Sequence, residues 1–201
     1  FRSRRIMGKR DSFFACLGRM KYINRWSLMK NTSAENLSMH TQEAAVIAHA
    51  LCVINNVYFD GKARPERAVA LALFHDAAEI FTGDMPTPVK YSGVRMKKAY
   101  EEIEEEAKKN LLGRLPEEMR DIYADLMTYD GSYEYRLMKQ ADKICAYLKC
   151  VEERKAGSKE FLSAERSILK ELEETALPET ALFMSRFLPS YELTLDETEK
   201  I

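Results

Sequence analysis

The chain has 201 residues, 46% hydrophobic and 31% charged, with 31 basic side chains against 32 acidic ones and a formal net charge of −1. That length suits one compact domain with a sizeable core, and the near-neutral balance excludes a global field that would recruit a nucleic-acid polymer or an anionic membrane surface. A small-molecule partner handled by local charges is expected, and no apolar run approaches the ~20 residues needed to span a bilayer.

Along the chain, helical periodicity dominates and no series of strands is visible. The opening "FRSRRIMGKR" is basic, with no apolar segment of signal-peptide type behind it. Residues 1–12 read as an N-terminal extension, disordered or left over from expression, and 13–201 as the domain. Ser12 to Met29 carries Phe13, Phe14, Leu17, Met20 and Ile23 at helical spacing. Asn31 to Asn36 is polar and capping-rich, a loop. A long helix is predicted from about Ser38 to Asn56, with Ala44, Ile47, Ala48 and Leu51 on one side. "FDGKARP" is a turn, and Pro65 suits the first turn of a helix running to about Phe81. "TGDMPTPVKYSG" has two prolines and two glycines and is expected to be irregular. Tyr100 to Leu112 is a strongly charged, solvated helix. Further helices are predicted over Pro116–Thr128, Tyr133–Lys155, Ser158–Glu174 and Pro178–Phe187. There is no internal repeat, low-complexity tract or linker, so the expected fold class is all-α in a single helical bundle. Four cysteines (Cys16, Cys52, Cys145 and Cys150) form no CxxC pair and no disulfide-dense pattern, as expected of a reduced, cytoplasmic protein.

The stretch "LFHDAAEIFTGDMPTPVK" sets an imidazole and carboxylates inside a segment built for burial. On one continuous helix His75 and Asp76 stand about 100° apart, and Glu79 lies one turn beyond His75. Buried carboxylates need a compensating positive group, and a divalent cation suits imidazole and carboxylate ligands. A salt-bridged acidic helix end with a satisfied core histidine is the alternative. In "RLMKQADKICAYLKC" the apolar face is Leu137, Met138, Ala141, Ile144, Cys145 and Leu148, and Asp142 sits against it. A buried salt bridge explains Asp142 alone as well as a metal does. Only three histidines occur, His40, His49 and His75. Nine residues turn an ideal helix by about 900°, half a turn net, so His49 faces away from His40 and reads as a structural or surface residue.

The order His40, His75-Asp76, Asp142 resembles the scattered H…HD…D signature of HD-domain metal-dependent phosphohydrolases. The blocks "FFACLGRMKYINRWSLMKNTSAENLSMH", "FHDAAEIFTGDMPTPVKY" and "KQADKICAYLKCVEE" are similar, in order and spacing, to bacterial 5′-deoxynucleotidases of the YfbR type, and the similarity runs from Phe13 to "FLPSYELTLDE". The resemblance implies a homodimeric, all-α HD-domain bundle that removes phosphate from deoxyribonucleoside 5′-monophosphates. It implies one divalent ion per subunit, Co²⁺ or Mn²⁺, on His40, His75, Asp76 and Asp142, with Glu79 as the catalytic residue. It carries substrate contacts onto Arg25, Trp26 and Asp84. Two departures stand out: Met39 occupies the position before the first histidine, where relatives often have an acid, and the basic N-terminal segment has no counterpart.

The chemistry of these residues is consistent with such roles. Arg25 offers a planar fork of donors to phosphate or is an ordinary surface arginine. Trp26 walls a sugar pocket or belongs to the core. Asp84 accepts from a sugar hydroxyl or stabilises its own turn. Lys90 reads as solvated. Two other readings stay open: an HD-domain phosphohydrolase acting on another nucleotide or small phosphate ester, and a helical nucleotide-binding protein without turnover.

Overall fold

Helices form where the sequence supplies both an apolar stripe and an end signal. A computed structural model describes residues 11–90, 92–128 and 131–200; most of the predicted N-terminal extension lies outside the described residues. Helix α1 (Phe13–Leu17) is followed by a 3-10 turn at Met20–Tyr22, then α2 (Leu37–Tyr58), α3 (Pro65–Phe74), α4 (Glu79–Thr82), α5 (Thr87–Lys90), α6 (Val94–Leu112) and α7 (Glu117–Met127). Helices α8 (Tyr133–Lys155), α9 (Leu162–Thr175) and α10 (Pro178–Arg186), a second 3-10 turn at Leu188–Glu192 and the short α11 (Leu195–Thr198) complete the order. No strand occurs among the described residues, and an isolated antiparallel bridge pairs Asn24 with Asn36.

End signals fix several boundaries. Asn36 accepts from Met39 N at 3.1 Å to start α2, and Ser132 accepts from Tyr135 N at 3.1 Å to start α8. Pro65 and Pro178 open α3 and α10, where the missing N–H is no loss.

Two predicted helices are broken. Ser12–Met29 yields only α1, a 3-10 turn and an extended stretch, because residues 23–25 pair with 35–37: Arg25 N donates to Glu35 O at 2.9 Å and Leu37 N to Ile23 O at 3.0 Å. Pro65–Phe81 tightens after Phe74, where Ala77 N bonds Phe74 O (3.1 Å) and Glu79 N bonds Asp76 O (3.0 Å) in i→i−3 fashion. The segment expected to be irregular contains the single turn α5, and α6 begins six residues before Tyr100.

The largest core joins α2, α3, α8 and the flanking α9 and α10, through Ala44, Ala48, Leu51, Leu71, Leu137 and Ile144 among others. A second cluster gathers Phe13, Ala77, Leu111, Leu115 and Met127, with Phe74 and Tyr123 packed on it. Leu71 and Ala72 belong to the first and Ala77 to the second, so His75 and Asp76 lie where the chain crosses from one core to the other. Helix α2, at 22 residues, is long and apolar enough to cross a bilayer by length and composition, contrary to the expectation of no such run. Its most apolar window is 56% buried, against α3 and α8. Cys16, Cys52, Cys145 and Cys150 are free thiols in the structure.

A buried pair on α8 clamps the loop before α2. Glu153, 1% exposed, accepts from Thr32 N (2.9 Å), Thr32 Oγ1 (2.7 Å), Ser33 N (3.2 Å) and Lys149 Nζ (2.5 Å). Burial opposes its charge, but Lys149 and the Thr32 and Ser33 donors overcome that and hold the carboxyl down at about 2. A lowered carboxyl contributes stability that is full above its unfolded value near 4.5 and is lost as pH falls through about 2. Glu153→Gln, which leaves Lys149 buried without its counter-charge, is therefore expected to lose on the order of 3 kcal/mol at pH 7. The gap to the parent protein should narrow steadily below pH 4.5. Urea unfolding at a series of pH values checks this, and a gap that does not vary with pH refutes it.

Candidate metal and nucleotide site

Four ligand-type side chains meet between α2, α8 and the tight turn after α3. His40 Nε2 lies 3.1 Å from Asp142 Oδ1 and 3.6 Å from Asp76 Oδ2, and His75 Nε2 lies 3.1 Å from Asp76 Oδ2 and 3.8 Å from Asp142 Oδ1. The two imidazole rings are 5.3 Å apart, and ligand atoms of His40, His75 and Asp76 fall within 4.8 Å of one another. Two atoms bound to one ion at about 2.0–2.2 Å necessarily sit ~3–4 Å apart, so these separations fit a shared cation. Ring nitrogens His40 Nδ1, His40 Nε2 and His75 Nε2 are buried without a hydrogen-bond partner, a state that a metal ligand tolerates and an ordinary core histidine does not. His75 Nδ1 sits 2.7 Å from Ala72 O, a contact that assigns the proton to Nδ1 and leaves Nε2 facing the cluster. The donor set, two imidazoles and two carboxylates, suits a first-row divalent ion.

The electrostatics describe a cluster short of positive charge. Burial alone would lower the His75 imidazole, yet Asp76 and Asp142 push it up to about 10. Burial would raise Asp76 and Asp142, but His75 for the first, and Lys139 with His40 for the second, hold both below the usual carboxylate range. Lys139 Nζ contacts Asp142 Oδ2 at 2.5 Å.

Glu79 stands at the first position of α4, one turn after His75. Burial first, then Asp76 and Asp84, push its carboxyl up to about 9, and its Oε2 is buried without a partner. His75, Asp76 and Glu79 line a pocket of about 380 Å³ whose wall also includes Lys90, Lys108 and Lys139. Lys90, expected to be solvated, lies 4.4 Å over the Tyr100 ring and 3.9 Å from Glu104.

The loop before α2 brings up the remaining predicted residues. Arg25 is not a surface arginine: its side chain is 12% exposed, and Nη1 donates to Glu35 Oε1 at 2.9 Å. Burial would lower its pKa, but Glu35 and the aspartates of the site keep it raised. Trp26 has φ of 59°, a left-handed backbone that costs a bulky residue roughly 1–3 kcal/mol and calls for outside support. Contacts from several segments supply that support, including Met29 N, which donates to Trp26 O at 2.9 Å. Trp26 N donates to Asp84 Oδ2 (3.2 Å), Nε1 donates to Glu35 Oε2 (2.8 Å), and the indole meets Phe161 edge-on at 5.4 Å. Asp84 reaches Trp26 because Gly83 turns the chain at φ 71°, where only glycine is unstrained. His49 is exposed, as the helical geometry required.

Three site-building residues were not foreseen. Lys139 precedes Asp142 at i,i+3 spacing, a legible pairing signal. Glu153 likewise follows Lys149 at i,i+4 spacing, but nothing in the sequence points it at the loop before α2. Glu35 lies in a stretch read only as a loop, yet its carboxylate faces His40 Nδ1 at 3.5 Å. Met39, next to His40 in the chain, is 47% exposed.

The fold is that of the HD-domain phosphohydrolases. An HD-domain phosphohydrolase from Listeria innocua superposes with a TM-score of 0.78 at 22% identity, covering 94% of this chain and 92% of its own. A cyanophage S-2L HD phosphohydrolase, bound to dA and one catalytic Zn²⁺ ion, gives 0.63 at 20% identity over 90% and 96%. Within that class, residues 12–191 match the family described as 5′-deoxynucleotidase YfbR-like, and the chain belongs to it. Similar relatives include a 5′-deoxynucleotidase from Enterobacter sp. (strain 638), 49% identical over 187 residues and covering 92% of this chain and 94% of the relative. Another is the 5′-deoxynucleotidase YfbR of Shigella flexneri, 47% identical over 192 residues, covering 94% and 96%.

Proposed function

We propose that the protein is a metal-dependent 5′-deoxynucleotidase, hydrolysing deoxyribonucleoside 5′-monophosphates to deoxynucleosides and inorganic phosphate. The observation that carries this reading is the convergence of His40, His75, Asp76 and Asp142, with unpartnered buried nitrogens, beside Glu79 and its buried Oε2. These four residues would hold one divalent ion, Co²⁺ or Mn²⁺ in our reading. When bound, such an ion supplies Lewis-acid polarisation of the phosphoryl group and acidifies the attacking water.

The remaining chemistry belongs to the chain. Glu79, whose carboxyl is pushed up by burial and by its acidic neighbours, is suited to deliver a proton to the departing 5′-oxygen as the P–O bond breaks and to take one back from water. Arg25 turns a planar set of donors toward phosphate oxygens. Trp26 walls the deoxyribose, and Asp84, which fixes the Trp26 backbone, also accepts from a sugar hydroxyl. A 2′-hydroxyl pressed onto indole finds no partner, at a cost of about 1–3 kcal/mol. The same reading takes the enzyme as a cytoplasmic homodimer.

Purified protein with Co²⁺ or Mn²⁺ is expected to release phosphate from dAMP, dGMP and dTMP, and to act on AMP roughly tenfold to a hundredfold less efficiently. Phosphate assays with chromatography of the nucleoside product test this. Absence of release from every 5′-mononucleotide, or pyrophosphate and triphosphate as products, overturns it.

A further inference from the structure

We infer that Glu35 is a positioning residue that couples the metal ligand His40 to the nucleotide-site residues Arg25 and Trp26. The inference rests on the site assignment proposed above and adds a residue to it.

Glu35 is 7% exposed, and its two carboxylate oxygens meet three site groups. Oε1 accepts from Arg25 Nη1 at 2.9 Å and faces His40 Nδ1 at 3.5 Å, while Oε2 accepts from Trp26 Nε1 at 2.8 Å. The backbone adds a fourth link, since Arg25 N donates to Glu35 O at 2.9 Å. A carboxylate kept in the interior only for stability needs one cation and a few donors from any source. Here the cation, Arg25, and the indole donor, Trp26, are both residues assigned to binding, and the His40 Nδ1 that Glu35 faces at 3.5 Å has no hydrogen-bond partner among the described residues.

The arrangement has a mechanical consequence. A carboxylate opposite Nδ1 selects the His40 tautomer that leaves Nε2 free to ligate, and outer partners of this kind orient metal-bound imidazoles. The same rigid group sets the indole angle and holds the Arg25 fork beside the cluster. Glu35 itself is held from behind. Lys149 Nζ donates to Ser33 O at 2.6 Å, and Glu153 grips Thr32, so the loop cannot slide to accommodate a shifted His40. Any adjustment of His40 on binding an ion is therefore passed to Trp26 through one side chain, and by linkage a change at Trp26 is passed back to the ion.

Trp26 is the only tryptophan in the sequence, so its emission reports on this coupling without any turnover. Zn²⁺ is the probe, being diamagnetic and not itself a quencher, with its affinity read by titration calorimetry. In the parent protein Zn²⁺ is expected to shift Trp26 emission. Glu35→Gln, nearly isosteric but presenting an amide where a donor now points, is expected to weaken Zn²⁺ binding about 10–100-fold and to abolish the shift at saturating Zn²⁺. Its far-UV circular dichroism should stay that of the parent protein. Trp26→Phe leaves the Glu35 carboxylate in place but removes its indole donor, and coupling requires a severalfold change in Zn²⁺ affinity in this variant also. Glu35→Gln binding Zn²⁺ within threefold of the parent protein with the shift intact, or Trp26→Phe with unchanged affinity, overturns the inference while turnover by the parent protein leaves the proposed function standing. Parent protein that binds no divalent ion overturns both.

Discussion

Replacing Glu79 by glutamine is expected to lower kcat on dAMP by roughly 10²–10⁴-fold, with KM changed only a few-fold and the protein folded. Glutamine keeps the shape and hydrogen-bonding reach of Glu79 but can neither give nor take the proton that the leaving oxygen needs. The same variant, freed of divalent ions by a chelator, should be more thermostable at pH 7–8. Burial and the charges of Asp76 and Asp84 raise the Glu79 carboxyl to about 9. A raised carboxyl disfavours the folded state progressively as pH climbs from its unfolded value near 4.5 toward 9. Neutral glutamine removes that penalty, so the stability gain should disappear near pH 4. Loss of activity joined to a gain in stability marks a side chain retained for chemistry at the expense of the fold. Activity within tenfold of the parent enzyme would sink the assignment.

The parts of the fold that could be read in advance are those where one physical signal decides. Helix α8 begins at Tyr133 and ends at Lys155 as predicted because Ser132 caps it, and its apolar stripe persists through Leu148. The break after Phe74 had no such marker. Neither proline nor glycine occurs between Phe74 and Glu79, and the switch to i→i−3 bonding arises because Ala72 and Ala77 must reach two different cores. The segment Ser12–Met29 failed in the opposite way. Its helical spacing is genuine, but the pairing of Ile23 and Arg25 with residues 35–37 claims their backbone groups, and that partner lies in a loop with no periodic signature.

The site shows the same division. His40, His75, Asp76 and Asp142 were legible as residue types in a particular order, and the structure brings them within contact distance. Their alignment depends on groups that carry no motif. Ala72 acts through a backbone carbonyl, which no side-chain pattern encodes. Glu35 sits beside a capping asparagine in a polar run, where a carboxylate is ordinarily solvated. Trp26 could be read as core or as pocket wall, and its left-handed backbone, the strongest sign of a functional position, is invisible before the chain is folded.

Stripping divalent ions with a chelator is expected to abolish phosphate release and leave the chain folded at a lower thermal midpoint. Without an ion the cluster is not left with bare charges, because Asp76 and Asp142 raise the His75 imidazole to about 10 against the effect of burial, and Lys139 remains on Asp142. A proton and a lysine thus offset the carboxylates well enough to preserve the bundle, whose cores do not include these residues. What is lost is the binding free energy of the ion, about 2.7 kcal/mol when metal is held at a hundredfold above Kd. For a chain of this length that corresponds to a drop of roughly 5–10 °C. Asp142→Asn separates the two contributions. It removes a ligand and the counter-charge of Lys139, so most of the metal-dependent increment in thermal midpoint should vanish, whereas the midpoint in chelator should fall by less than that increment, since Asp76 stays beside His75 and Lys139, about half exposed, can turn to solvent. Thermal scans with and without Co²⁺ or Mn²⁺, paired with phosphate assays, read both effects. Activity and midpoint indifferent to chelator would mean that the four side chains hold one another rather than an ion.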